Sequence, residues 1–370
     1  MSPIEDTGLA QTDTRSFLMR RGRKGLVAGL TLAFIFFGTA GYSQQSSPYY
    51  QGKTITIVQG REPGGTGDMR ARAVFPFLKK YLPGQPTIIT EFMPGGGGRK
   101  AANHIFSGAR PDGLVIGNVG AGLVANAILG ETGVQYNLDK FIYLGTPNSE
   151  SHWVFSSRRE AGLSSLEKLR APSGVRIGAQ SVGHEVYLSG RLFAWILGLK
   201  DPKFIVGYGG PELDAAMLRG EVDARTNTAD AIVRRTPEWL EKRLVDFHSI
   251  IEIPRGDKHP RFAQLPELES FARSDRERKI LALHRAFQLG GSPYILPPGT
   301  PKESVEILRD AMRQVYKDPE FHKEFKKLTG DDPSPLMPEA LEKYVREIPR
   351  EAEIINLFKK LAGADPLPVR

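Results

Sequence analysis

Apolar and polar positions alternate between two spacings along most of the chain. Thr54 to Val58 is a short, mostly apolar run that predicts a buried strand. Arg61 to Asp68 (REPGGTGD) predicts a turn, and Met69 to Tyr81 has helical spacing. Thr87 to Glu91 predicts the next strand, Met93 to Gly98 a glycine loop, and Arg99 to Gly108 a helix. Arg110 to Gly113 is a turn before a third strand at Leu114 to Val119. The same order returns later. Strands are predicted at Val175 to Ala179, at Phe204 to Val206 and from Val222. Helices are predicted at Glu185 to Leu197 and Glu212 to Arg219. One more strand, Tyr294 to Leu296, precedes a helical tail at Lys302 to Tyr316, Pro319 to Leu328 and Pro338 to Leu361. Strand, glycine loop, helix, strand is the grammar of α/β sheets with parallel strands, and it occurs here in two blocks.

The N-terminus follows another pattern. Arg20, Arg21, Arg23 and Lys24 precede an uncharged apolar run from Gly25 to Ala40, with small residues at Thr39, Ala40, Gly41 and Ser43. Positive, apolar, then small is the order of a secretory signal. The apolar run is short for a membrane span of about 20 residues. Residues 1–44 are therefore expected to be a signal peptide, with an uncleaved anchor as the alternative. The mature protein would then work in the periplasm, away from ATP and NAD.

The chain has 370 residues, 40% apolar and 25% charged, enough for a two-domain core. It has no Cys, which excludes disulfides, thiol catalysis and Cys-held zinc. Net charge is +8, a mild excess that favours anionic partners. No basic run is interleaved with aromatics, so nucleic acid is not an expected partner.

Catalytic patterns fail one by one. Pro63 to Asp68 lacks the GK[ST] ending of a phosphate loop and the continuation of a dinucleotide loop. His184-Glu185 begins like a zinc-protease motif, but Leu188 stands where its second His belongs. Gly290 to Pro293 is not a nucleophile elbow, and Ser181 has no identifiable base. Loops joining a strand to a helix do suit anions, because they present backbone N–H groups at a helix N-terminus.

Five motifs in order give a more specific reading. They are Pro63-Gly64-Gly65-Thr66-Gly67-Asp68 with Ala71-Arg72; Met93-Pro94-Gly95 to Gly98 with Pro111-Asp112-Gly113; Gly178 with Ser181-Val182-Gly183-His184; Tyr208-Gly209-Gly210 with Leu218, Gly220, Val222 and Asp223; and Pro298-Gly299-Thr300-Pro301 with Asp318 to Phe321. In these the chain resembles the extracytoplasmic solute-binding proteins of the tripartite tricarboxylate transporter family, the Bug-type receptors, from about Tyr50 to Gly363. The chain departs from the family pattern at Arg61, at Thr66-Gly67, after Gly183 and at Asn227.

The resemblance implies a two-lobe periplasmic-binding-protein (Venus flytrap) fold, each lobe a mixed sheet flanked by helices. Lobe 1 is expected at 50–146 plus 292–370, and lobe 2 at 147–291. It implies a monomeric receptor, without cofactor, metal or chemistry of its own, that hands a small organic carboxylate to two integral membrane transporter subunits. The carboxylate is expected between the Gly64 to Asp68 loop and the Ser181 to His184 loop, with Arg61 and Asn227 facing the same cleft. Gly64, Gly65, Thr66, Gly67, Ser181, Val182, Gly183 and His184 form that expected site. Asp68 belongs to it as the residue that caps its helix or orders its loop, or that receives a donor group elsewhere on the ligand. The alternatives are a receptor serving a membrane sensor kinase and a secreted α/β enzyme.

Overall fold

The computed structural model describes residues 48–330 and 332–370. The expected signal segment lies outside the described residues. Among the described residues, no helix is long and apolar enough to cross a membrane.

Two five-stranded mixed sheets organise the chain. The first is built from β1 (Thr54–Gln59), β2 (Thr87–Phe92), β3 (Val115–Asn118), β4 (Ile142–Tyr143) and β10 (Tyr294–Leu296). Its strand order is β2-β1-β3-β10-β4. β1 runs parallel to both neighbours, with Thr54 opposite Thr87 and Thr56 opposite Val115. β10 is antiparallel to β3 and to β4. The second sheet holds β5 (Trp153–Arg158), β6 (Arg176–Gly178), β7 (Lys203–Ile205), β8 (Ala224–Thr228) and β9 (Val245–Ile251) in the order β7-β6-β8-β5-β9. β6 is parallel to β7 and β8, while β5 is antiparallel to β8 and β9.

The helices close both faces. α1 (Thr66–Tyr81), α10 (Lys302–Lys317) and α11 (Pro319–Thr329) pack together over one face of the first sheet. They bury Val74, Leu78, Leu308, Met312 and Phe321 against Ile55 and Ile57. α2 (Arg99–Asn103) and α3 (Gly122–Ile128) bring Ala101, Leu123 and Val124 into a second core that continues into the second sheet through Phe155 and Ile177. α4 (Leu166–Arg170), α5 (Glu185–Leu197), α6 (Gly210–Leu218), α8 (Pro237–Glu241) and α9 (Asp275–Leu289) add Leu169, Phe193, Leu213, Trp239 and Leu281 to that core, while α7 (Ala229–Arg235) packs Ala229 and Ile232 against Val154 and Ile250 in a third. Burying these side chains is the dominant favourable term in folding, at about 25 cal/mol per Å² of apolar surface.

The expected terminal helix is in fact two, α12 (Pro338–Glu347) and α13 (Ala352–Ala362). Pro349 explains the break. It has no N–H to donate, and it drives Ile348 out of the helical region to ψ 127°. The break redirects the chain. α12 packs on β4, but α13 packs on α5 and α9 of the second sheet. The tail is fastened there by Arg191 to the carbonyls of Leu361 and Asp365, and by Arg370 to Glu277. The last helix and the tail thus lie against helices that follow strands of the second sheet, whereas α12 lies against the first.

Candidate functional site

β1 ends at Gln59, and α1 begins at Thr66, three residues earlier than its apolar spacing predicts. Thr66, Gly67 and Asp68 thus occupy the first turn of a helix rather than a loop. Asp68 is buried and orders that turn. It accepts from the Gly64 N–H at 2.9 Å, from Gln59 Nε2 at 2.9 Å and from Arg72 Nε at 3.0 Å. Burial pushes its carboxyl up, but hydrogen bonds from Arg72, Gly64 and Gln59 outweigh that and hold it below the usual range.

The second wall comes from the β6–α5 connection. His184 caps α5: its Nδ1 accepts from the Val186 N–H at 3.2 Å. That bond leaves the ring proton on Nε2. Burial pushes the His184 pKa down, with Arg61 and Arg225 adding to the effect and Glu185 opposing it. The imidazole is a neutral donor at pH 7.

The two walls touch. Ser181 Oγ accepts from the Gly97 N–H at 3.2 Å. Gly97 has φ +61°, and a Cβ there would stand 2.4 Å from the Gly183 carbonyl carbon. Only glycine suits both that conformation and that approach. Arg70 of α1 reaches Asp230 of α7 at 2.6 Å, and Arg235 Nη1 donates to Thr66 Oγ1 at 3.2 Å.

Between the walls lies a cavity of about 200 Å³. Of the expected residues, Arg61, Gly65, Thr66, Gly67, Ser181, His184 and Asn227 line it. Gly64, Asp68, Val182 and Gly183 stand behind the lining, as loop backbone and supports. Arg61 is half-buried and pairs with neither Glu62 nor Asp68. Its guanidinium donates to Ser292 Oγ and to the Asn118 carbonyl, each at 3.3 Å, and meets no carboxylate at ion-pair distance among the described residues. Burial pushes its pKa below the ordinary value, opposed chiefly by Glu185.

Asn227 is only 5% exposed. Its Oδ1 accepts from the Thr228 N–H, while its Nδ2 has no partner among the described residues. Trp153 Nε1, Arg61 Nε and Arg70 Nε are buried and equally unpartnered. Buried donors without acceptors are uncommon, and here several gather around one cavity.

Sequence reasoning missed Arg70, Trp153, Glu185, Arg225 and Arg235, all of which line the cavity. Two of them carried a signal. Arg70 lies four residues after Thr66, on the same helix face. Arg225 lies two residues before Asn227, on the same strand face. Arg225 and Arg235 share the Asp214 carboxylate, and burial pushes the Arg225 pKa down to about 10. Among the described residues no cluster of His, Cys, Asp or Glu is arranged to hold a metal.

No protein-family model and no curated sequence matches the chain. Solved structures do. The periplasmic binding protein BugD is 20% identical, with a TM-score of 0.66 over 84% of this chain and 98% of its own. MatC from Rhodopseudomonas palustris, solved with bound malate, is 21% identical, with a TM-score of 0.64 over 84% of this chain and 99% of its own. Another R. palustris protein, solved with adipate, is 17% identical, with a TM-score of 0.62 over 84% of this chain and 96% of its own. A TctC solute-binding protein from Polaromonas is similar over the same 84% of this chain. The two five-stranded sheets thus have the two-lobe fold of the Bug- and TctC-type periplasmic solute-binding proteins.

Proposed function

We propose that this chain is a periplasmic receptor that captures a small organic carboxylate between two lobes and delivers it to a tripartite tricarboxylate-type secondary transporter. One observation carries the reading. Arg61, a cation without a carboxylate partner among the described residues, lines an interlobe cavity beside unpartnered buried donors. A planar fork of N–H groups matches a carboxylate. The Thr66 hydroxyl, the loop N–H groups and His184 add donors, and the helix N-termini favour negative charge. Each charge-assisted bond contributes about 1.5–3 kcal/mol. Structures of the same fold carry malate and adipate, which supports the substrate class.

The first lobe in this reading is 50–146 with 292 to about 350, and the second is 147–291 with the last helix and tail. Closure is a hinge motion of one lobe on the other, and no bond of the ligand is made or broken. Two integral membrane subunits then receive the ligand, and the receptor acts as a monomer.

The test is thermal unfolding with mono-, di- and tricarboxylates and aromatic acids. A ligand at a hundred times its Kd stabilises the native state by about 2.7 kcal/mol. The reading predicts a clear rise in Tm with at least one carboxylate, abolished by Arg61→Ala. No rise with any member of the panel overturns it.

A further inference from the structure

A cavity built for carboxylates has no evident use for a carboxylate of its own, yet Glu185 lines this one. Glu185 is the first residue of α5 and is half-buried. Its carboxylate makes no hydrogen bond or ion pair with any described residue; only its backbone carbonyl is engaged, accepting from Ser189 Oγ at 2.7 Å. Its Oε2 lies 2.4 Å from where a Cβ on Gly120 would stand, so the glycine leaves room for the carboxylate against the first sheet's β3–α3 loop. Arg61 faces the cavity from the β1–α1 connection, Glu185 from the β6–α5 connection. They interact electrostatically without closing into an ion pair. The closed arrangement therefore presents a free cation and a free anion to the same space. Gln180 adds a second acceptor, an Oε1 that is buried and unpartnered in the same lining.

Building on the carboxylate reading above, we propose that the ligand carries a hydrogen-bond-donating substituent, hydroxyl or ammonium, alongside its carboxylate, and that Glu185 receives it. The ligand carboxylate lies toward Arg61, and the donor group lies toward Glu185. A plain carboxylate leaves Glu185 facing another anion with nothing between them, and repulsion weakens its binding. A donor-bearing ligand turns the same residue into an acceptor. Glu185 is thus the residue that sets specificity within the carboxylate class. A purely local role, as an acidic residue favoured at a helix N-terminus, would affect stability and leave ligand preference unmoved.

Calorimetric titration of the purified protein with two ligand series separates these roles. The series are succinate, malate and aspartate, and adipate, 2-hydroxyadipate and 2-aminoadipate. Within each, only the substituent on one carbon changes. At least one donor-bearing member should bind tenfold or more tightly than its parent diacid. Glu185→Gln should shrink that ratio below threefold, and Glu185→Asp should retain part of it. Preference for the amine over the alcohol identifies an ammonium group, and equal gains identify a hydroxyl-type donor. Parent diacids that bind as tightly as their derivatives, or a ratio unchanged in Glu185→Gln, overturn the inference and leave the carboxylate reading standing. Failure of every member of both series and of the wider carboxylate panel overturns the carboxylate reading, and this inference with it.

Discussion

Arg70 Nη2 donates to Asp230 Oδ2 at 2.6 Å, joining the helix that follows β1 to the helix that follows β8. Both residues are buried, and Ser151 Oγ takes a second bond from the same nitrogen at 3.0 Å. The pair bridges elements of the two sheets, so the opening proposed above would break it and return both charges to water. Its stabilisation accrues to the closed arrangement.

Asp230→Asn should therefore weaken ligand binding without contacting the ligand. The amide still accepts a bond from Arg70, but the buried guanidinium loses its counter-ion; because the bond is kept, the loss is smaller than the roughly 3–5 kcal/mol of a fully broken buried pair, about 1.5–3 kcal/mol. That converts to a loss of affinity between about tenfold and a hundredfold. Titration calorimetry reads the affinity, and small-angle scattering should show a larger radius of gyration for the variant at equal ligand. Unchanged affinity and radius would remove the pair from the closing equilibrium.

Gly97 gives a second route to the same equilibrium. Alanine there carries a Cβ into the Gly183 carbonyl and to within 2.7 Å of the His184 nitrogen, so it blocks contact between the walls. Alanine at Gly64, whose φ of +76° is also left-handed, meets nothing closer than Pro211 at 3.9 Å. Both variants incur the strain of a positive φ, about 1–2 kcal/mol. Only Gly97→Ala should also lose ligand affinity, by tenfold or more relative to Gly64→Ala. Equal affinities would mean that closure does not need that approach.

Acid should weaken the fold through two buried histidines. Burial pushes His248 down to about 4 and His284 to about 3, from an unfolded value near 6.5. Above pH 6.5 both are neutral in either state. Below it the unfolded chain takes up protons that the folded chain refuses, so stability falls as pH falls. Each histidine costs about 1.4 kcal/mol per pH unit, or about 2 kcal/mol between pH 6.5 and 5.0. Ordinary carboxylates titrate below this window. His248 faces Ser157 Oγ at 2.8 Å, a bond that an amide can also make. Urea unfolding of His248→Gln at pH 7.5 and 5.0 should show a smaller loss than wild type, by about 2 kcal/mol. An unchanged loss would mean that His248 does not refuse the proton.

How much of this was legible in sequence depends on polarity. The first sheet's parallel strands read as short apolar runs, and its loops announced themselves through glycine. The second sheet hid its middle. β8 is Ala-Arg-Thr-Asn-Thr, wholly buried, with two of its polar side chains paired inside the fold: Thr226 Oγ1 donates to the Val186 carbonyl, and Arg225 pairs with Asp214. β5 ends in two buried serines and an arginine, and β9 carries Asp246 and His248. Their apolar stretches, Trp153 to Phe155 in β5 and Ile250-Ile251 in β9, are too short to mark a strand, and β8 was legible only at its approach from Val222. Arg70 and Arg235 were harder to read for a different reason: spacing puts Arg70 on the helix face of Thr66 but does not show what that face meets. Their place in the cavity depends on two helices from different sheets meeting, which no local spacing records. Asn227 was legible only through the family pattern, and its unpartnered Nδ2 only in three dimensions.

Gly67 offers a test that separates binding from folding. It lies in the first turn of α1, and its φ is not left-handed, so alanine there is conformationally acceptable. An alanine in a helix is favoured over glycine by about 0.5–1 kcal/mol. The obstacle is a neighbour: a Cβ on Gly67 would stand 1.8 Å from Arg61 Nη1. That atom is the far end of a flexible side chain, so Arg61 swings away and the helix stays. Gly67→Ala should therefore keep or slightly raise Tm while losing carboxylate affinity about as much as Arg61→Ala, tenfold or more. The double variant tells whether the two losses are one. If Gly67→Ala acts by displacing Arg61, adding it to Arg61→Ala costs nothing further, and the free energies of the single variants do not add. Additive losses would mean that Gly67 contacts the ligand independently. Undiminished affinity in Gly67→Ala would mean that Arg61 does not hold the carboxylate in the position seen here.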